Sequence, residues 1–219
     1  MGLEVFKRDY YLFDPKNYGR IFIFVDFGNV RPWAKNFWPE ENKYKISVEI
    51  DIGKLASICN LLNPESKFFY YGYFKPEEVL SQNQEAKSRH SSSIYRIDKA
   101  RKSGFNVRTK EIKMIPHYDE QGKYIGKIPK CNFDVEITMD TIIKLDKYDT
   151  IVLFSGDSDF GTLLGYLKSK GKKIVVISTR DRMSTELESV ADKFIPAETM
   201  KNLLDYHNKT DTPPVKAEV

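Results

Sequence analysis

A chain of 219 residues with 41% hydrophobic side chains is long enough for one sizeable α/β domain, or for one domain with appendages. The net charge of +4 permits a nucleic-acid partner without demanding one. No apolar run approaches the ~20 residues of a membrane span, and no signal-type hydrophobic segment follows Met1, so a cytoplasmic protein without a membrane partner is expected.

Residues 1–19 mix polar and apolar side chains, with Asp14, Pro15 and Gly19 as turn signals, and read as a lead-in packed on the domain. Residues 20–25 form a continuous apolar, β-type run, the best candidate for a central strand. The run ends in Asp26, followed by Phe27, Gly28 and Asn29. An acid at the last position of a buried strand is costly without a purpose. The plainer alternative is an Asx-turn by Asp26 with helix capping by Asn29. Residues 31–50 are irregular and hold Trp33 and Trp38, so they read as an insertion over the sheet edge. Its aromatics either anchor the loop in the core or stack on bases. Asp51 caps a helix over residues 52–62 with Leu55, Ile58, Cys59 and Leu62 on one face. Residues 66–74 are a strand whose many aromatics point to core.

Residues 76–102 read as one or two helices, stopped at Gly104. Residues 105–115 alternate as a strand, residues 119–122 turn, and residues 123–128 return as the hairpin partner. Residues 87–130 are basic, with Lys87, Arg96, Arg108, Lys113, Lys127 and Lys130 among their cations. That is a path for a phosphate backbone, or an ordinary solvated surface. Asp134 opens a helix over residues 135–145; Asp140, six residues on, falls about 120° around it. Residues 151–154 are a second buried strand, ending in the turn Ser155-Gly156. Asp157 and Asp159 come next, before a helix over residues 160–167. The plainer alternative is that Asp157 or Ser158 only caps that helix. A strand at residues 173–178, a helix at 180–191, a short strand at 193–195 and a helix at 197–206 follow, and residues 208–219 form a polar tail expected to be disordered.

Strand and helix alternate, which predicts a parallel sheet with helices on both faces and one projecting β-hairpin. Asp26 and the Asp157/Asp159 pair then lie at the carboxyl edge of the sheet, where α/β proteins bind ligands, with Asp134 on the helix leading to that second strand. Carboxylates gathered without matching bases repel each other. Hard divalent cations such as Mg²⁺ or Mn²⁺ relieve the repulsion and hold phosphate. No serine–histidine or cysteine–histidine arrangement competes; His90, His117 and His207 read as solvent-facing. Cys59 and Cys131 match neither zinc nor disulfide spacing and are expected to be reduced. There is no phosphate-binding loop and no dinucleotide fingerprint.

Three blocks now stand together: Val25-Asp26-Phe27-Gly28-Asn29; Lys130-Cys131-Asn132-Phe133-Asp134-Val135 with Asp140; and Ser155-Gly156-Asp157-Ser158-Asp159-Phe160 followed by Gly171 and Lys172. In this order they resemble the signature blocks of the NYN domain, the branch of the PIN-like nucleases that includes the LabA-like proteins. The likeness runs over about residues 20–195, within a domain taken to span residues 20–207. It implies a Rossmann-like three-layer α/β/α PIN-like fold with a mostly parallel central sheet. It also implies a metal-dependent ribonuclease site, with Asp26, Asp134, Asp157 and Asp159 as metal ligands, Asn29 as polar support and Asp140 behind them. Two departures stand out. Cys131-Asn132-Phe133 replaces a glycine turn, and the 31–50 insertion lies outside the common pattern.

The function this implies is hydrolysis of single-stranded RNA, endonucleolytically, by water activated by Mg²⁺ or Mn²⁺ at the aspartate cluster, with the 87–130 region guiding the RNA. The alternative is a non-catalytic RNA- or protein-binding module of the same fold. An aspartyl-phosphate phosphohydrolase would need Asp-x-Asp after the first strand, and Phe27-Gly28 supplies none. Oligomeric state is not legible.

Overall fold

A computed structural model describes residues 17–39, 48–75, 84–204 and 206–208. The first strand, β1 (Ile21–Asp26), is buried along its whole length. It is followed by the short helices α1 (Phe27–Val30) and α2 (Trp33–Phe37), then β2 (Val48–Ile50), α3 (Ile52–Leu61), β3 (Ser66–Tyr70), α4 (Gln84–Lys102) and β4 (Asn106–Arg108). A hairpin comes next, β5 (Lys113–Tyr118) and β6 (Tyr124–Lys130), and leads into α5 (Asp134–Ile143). The last third runs β7 (Thr150–Phe154), α6 (Gly161–Ser169), β8 (Lys173–Ser178), α7 (Thr185–Val190), β9 (Lys193–Pro196) and β10 (Tyr206–Asn208).

Six strands form one sheet in the order β4-β3-β1-β7-β8-β9, and every pairing in it is parallel. The chain leaves β1 outward through β3 to β4, then returns to β7 on the other side of β1. The order therefore reverses between β1 and β7, and that switch point opens a crevice at the carboxyl ends of the two strands.

Successive side chains of a strand face opposite ways, and β1 shows what this does. Ile21, Ile23 and Val25 enter one core with Leu55, Ile58 and Cys59 of α3 and Ile97 of α4. Phe22 and Phe24 enter the other, with Ile137 of α5, Leu163, Leu164 and Leu167 of α6 and Leu187 of α7. The result is a three-layer α/β/α arrangement. At the lower end of the switch point, Arg20 clamps the starts of β1 and β7 together: its backbone N–H and Nε donate to Asp149 Oδ2 at 2.8 and 3.0 Å.

The structure differs from the sequence expectations at several elements. Residues 105–115 are not one strand: β4 ends at Arg108, and the chain bridges from Tyr73 to Glu111 before β5 begins outside the main sheet. The helix expected at 180–191 is a 3₁₀ turn, Arg180–Arg182, then α7, because Ser184 caps a fresh helix by accepting from the Leu187 N–H at 3.3 Å. The 197–206 helix is a 3₁₀ segment, Ala197–Leu203, after which β10 pairs antiparallel with β2. The 31–50 insertion is thus tied in: Trp33 and Trp38 are both buried as anchors, unavailable for base stacking, and β2 is partnered. The lead-in up to residue 16, residues 40–47 of the insertion, the first residues (76–83) of the expected 76–102 helix, and residues 209–219 of the tail lie outside the described residues. Among the described residues no helix is long and apolar enough to cross a membrane.

Phe24 is fully buried and stacks on Phe68 with ring centroids 5.0 Å apart. Phe24→Ala is expected to lower the unfolding free energy by about 3–5 kcal/mol, read as a fall in denaturation midpoint at unchanged m-value.

Candidate functional site

Asp26 is the last residue of β1 and also the N-cap of α1, where its Oδ1 accepts the Gly28 N–H at 3.1 Å. Asp157 follows β7 and caps the 3₁₀ turn Ser158–Phe160, its Oδ1 accepting the Asp159 N–H at 3.1 Å. Asp134 is the first residue of α5 and accepts from Asn132 Nδ2 at 2.7 Å. Capping is therefore real at Asp26 and Asp157. It uses one oxygen of each in those contacts and does not explain why the acids share one edge of the sheet.

Their electrostatics join them. Asp26 is raised to about 6, first by burial and further by the charges of Asp134 and Asp157, while the backbone N–H groups of Asn29 and Gly28 oppose the rise. Asp134 is also raised, by burial first and then by Asp157 and Asp159; Lys110 pulls the other way. So Asp26 and Asp134 both feel the charge of Asp157 across the switch point, and Asp134 that of Asp159 as well. Asn29, on α1, reaches across it, its Oδ1 accepting the Gly156 N–H at 3.3 Å, and so ties the end of β1 to the end of β7. Gly156 is needed there: a Cβ would fall inside the carbonyl oxygen of Arg182 and the hydroxyl of Ser178.

Asp140 does not belong to this cluster. It is buried and accepts from Tyr70 Oη at 2.8 Å and Arg108 Nε at 3.0 Å, and pairs with Lys144. Burial pushes its carboxyl up, but Arg108, Lys144 and Tyr70 together hold it below the usual range. It locks α5 to β3 and β4, and is not a support behind the other acids. The 120° offset along α5 sends it to another partner set.

The basic 87–130 region also divides. Arg96 is buried against Glu49 of β2, so it is no surface cation, and Arg108 is taken by Asp140. The exposed cations of the hairpin are Lys113, Lys123, Lys127 and Lys130. Exposed Tyr118 and Tyr124 meet near its turn, ring centroids 5.9 Å apart. His90 is half-buried, with Nδ1 2.6 Å from the Phe74 carbonyl oxygen, rather than solvent-facing. Cys59 and Cys131 are both free thiols.

Sequence reasoning passed over two neighbours of Asp134. Lys110 Nζ lies 2.6 Å from Glu136 Oε1 and 4.7 Å from the centre of the Phe133 ring, which places one cation beside the acids. Nothing in the spacing of residues 110 and 136 points to that contact. Asn132, two residues before Asp134, did carry a signal, the Asx-type pattern. At the departure from the glycine turn, Phe133 buries its ring against Tyr70 and so sets the start of α5.

All four acids offer hard oxygen donors, the chemistry that suits Mg²⁺ or Mn²⁺. Asp26, buried with no cation among the causes of its shift, is the kind of group that an ion would relieve. Yet among the described residues no three His, Cys, Asp or Glu side chains are grouped so as to hold a metal ion as they stand. The donor set fits in kind, and closing around an ion requires these carboxylates to draw together.

A doubly wound parallel sheet with acids at its switch point defines the class, and comparison with known proteins defines the family. The NYN domain matches residues 20–203, and the chain belongs to that family. It is 33% identical over 110 residues to "Low amplitude and bright protein LabA" of Synechococcus elongatus, a match over 50% of this chain and 56% of LabA. The matched stretch thus spans little more than half of that relative. Among solved structures, VPA0982 of Vibrio parahaemolyticus, described as a protein of unknown function, superposes with a TM-score of 0.53 at 22% identity. That likeness covers 84% of this chain and 96% of the other, and it concerns the fold.

Two outcomes follow. Folding raises the Asp26 pKa above its ordinary value, so the metal-free protein takes up a proton at Asp26 on folding, and stability falls as pH rises from about 4 through 6. Asp26→Asn is expected to stabilise the chelator-treated protein at pH 7 by about 2–3 kcal/mol and to flatten this slope; urea titrations from pH 4 to 7 read it, and an unchanged slope would remove Asp26 as the cause. Gly156→Ala is expected to cost about 1–3 kcal/mol through overpacking, seen as a lowered thermal midpoint.

Proposed function

We propose that this protein is a metal-dependent ribonuclease that cuts single-stranded RNA endonucleolytically within a domain of residues 20–207. The observation that carries the reading is the placement of Asp26 at the end of β1, Asp157 and Asp159 just after β7 and Asp134 at the start of α5, with Asp26 buried there. In this reading Asp26, Asp134, Asp157 and Asp159 hold Mg²⁺ or Mn²⁺. When bound, such an ion acidifies a water and offsets charge on the phosphodiester. The chain's own residues do the rest. The backbone N–H groups of Gly28 and Asp159 fix the Asp26 and Asp157 carboxylates in orientation. Asn29 keeps the two strand ends at constant spacing. The exposed hairpin lysines attract the phosphate backbone, and Tyr118 and Tyr124 offer faces to unpaired bases.

A second reading, a non-catalytic RNA- or protein-binding module, is favoured by one observation. One face of α5 exposes Val135, Met139, Ile142 and Ile143 at helical spacing, an apolar row that a partner would cover.

Calorimetric titration of Mn²⁺ into wild type and Asp157→Asn, run beside cleavage of a labelled single-stranded RNA, separates the readings. The nuclease reading expects saturable binding and cutting by the wild type, with both lost in the variant. Absence of both in the wild type would leave the binding module.

A further inference from the structure

Beside the acids lies a groove of about 260 Å³ that the cleavage reading does not use. Its walls come from both sides of the site. Gly28, whose N–H holds Asp26, and Arg31 contribute from α1 and the turn after it. Phe133, next to Asp134, and Cys131 and Pro129 contribute from the hairpin's return to α5, and Tyr71 and Phe74 from the chain after β3. The wall is therefore mostly apolar, with Tyr71 and Phe133 themselves rooted in the two cores, and Arg31 is the only charged residue among the described ones that line it.

The groove starts two residues from Asp26, at Gly28, and one residue from Asp134, at Phe133. A nucleotide whose phosphate sits at those acids has its base a single sugar away, within reach of this space. An apolar groove with one guanidinium matches an unstacked nucleobase: the apolar wall receives the ring, and a planar five-donor group takes its edge acceptors. Arg31 suits this role because it is exposed and its backbone, rather than its side chain, closes α1, its N–H donating to the Phe27 carbonyl at 2.9 Å.

We propose that this groove is a base-recognition subsite that takes one unpaired nucleobase next to the phosphate at the acids, and that Arg31 makes guanine the preferred base through its O6 and N7 acceptors. The proposal rests on the ribonuclease reading for the position of the phosphate, but its test does not rest on cutting.

Fluorescence anisotropy on the full chain would compare labelled RNA decamers that are uniformly uridine except for one central guanine, adenine or abasic position. It would be run in EDTA and again in Ca²⁺. Wild type is expected to bind the guanine decamer roughly five- to a hundredfold more tightly than the abasic one, the range of one bidentate arginine contact. Arg31→Lys keeps the charge but not the planar fork, so it is expected to keep the affinity for the abasic decamer and lose the preference for guanine. Arg31→Ala is expected to lose the preference as well. Equal binding of all three decamers by wild type, or a guanine preference that survives in Arg31→Lys, would overturn the subsite. A parallel cleavage assay of the same decamers in Mn²⁺ keeps the two readings apart. Metal-dependent cutting with no preference for the base retains the nuclease and removes the subsite. Guanine-selective binding without cutting retains the subsite and removes the nuclease.

Discussion

The central strand β1 has no solvent face. It is paired on both edges by parallel strands, and its side chains alternate into two separate cores. Every group on it must be apolar or satisfied, because no water is there to compensate. Asp26 is the single ionisable residue of the strand, and it sits at the last position, where the sheet opens. Much of the molecule can be understood from that placement. The helices on either face cover the two cores, and the crevice forms where β1 and β7 diverge from a common start held by Arg20 and Asp149.

The acids at the crevice oppose the logic of the rest of the fold. Two buried charges elsewhere have opposite partners: Asp140 has Arg108 and Lys144, and Arg96 has Glu49. At the switch point, Asp26 meets the acids Asp134 and Asp157 and the backbone N–H groups of Asn29 and Gly28, and its carboxyl rises to about 6. Breaking the pairing rule at one place costs stability, and functional sites are where such exceptions gather. Membership of the NYN family and the geometry thus point the same way, although the side chains as they stand do not surround an ion.

The hairpin and the first turn of α5 frame one side of this crevice, and α1 with Arg31 frames the other. The hairpin is mostly exposed and carries lysines and tyrosines, while the groove at its base is apolar. The proposed reading rests on this combination, since a single-stranded nucleic acid alternates charged phosphates with flat bases. The helix α4, also basic by composition, contributes less, because Arg96 is spent on holding β2.

Much of this was legible in the residues alone. Continuous apolar runs at 20–25, 151–154 and 173–178 specify buried strands because only a two-sided parallel sheet accommodates them. Acids at their ends specify the edge on which a site forms. The Trp33 and Trp38 anchors and the hairpin followed from composition and turn chemistry. What the sequence could not decide is which distant groups meet. Asp140 and Asp134 are both acids of α5, yet one faces Arg108 and the other faces Asp157, a division set by how the helix rolls on the sheet. Arg96 with Glu49, Lys110 with Glu136, and the pairing of β10 with β2 all join residues far apart in the chain. Local propensity carries no information about such pairs; only the packed structure selects them, and where it buries a charge, as at Arg96, desolvation makes the partner obligatory.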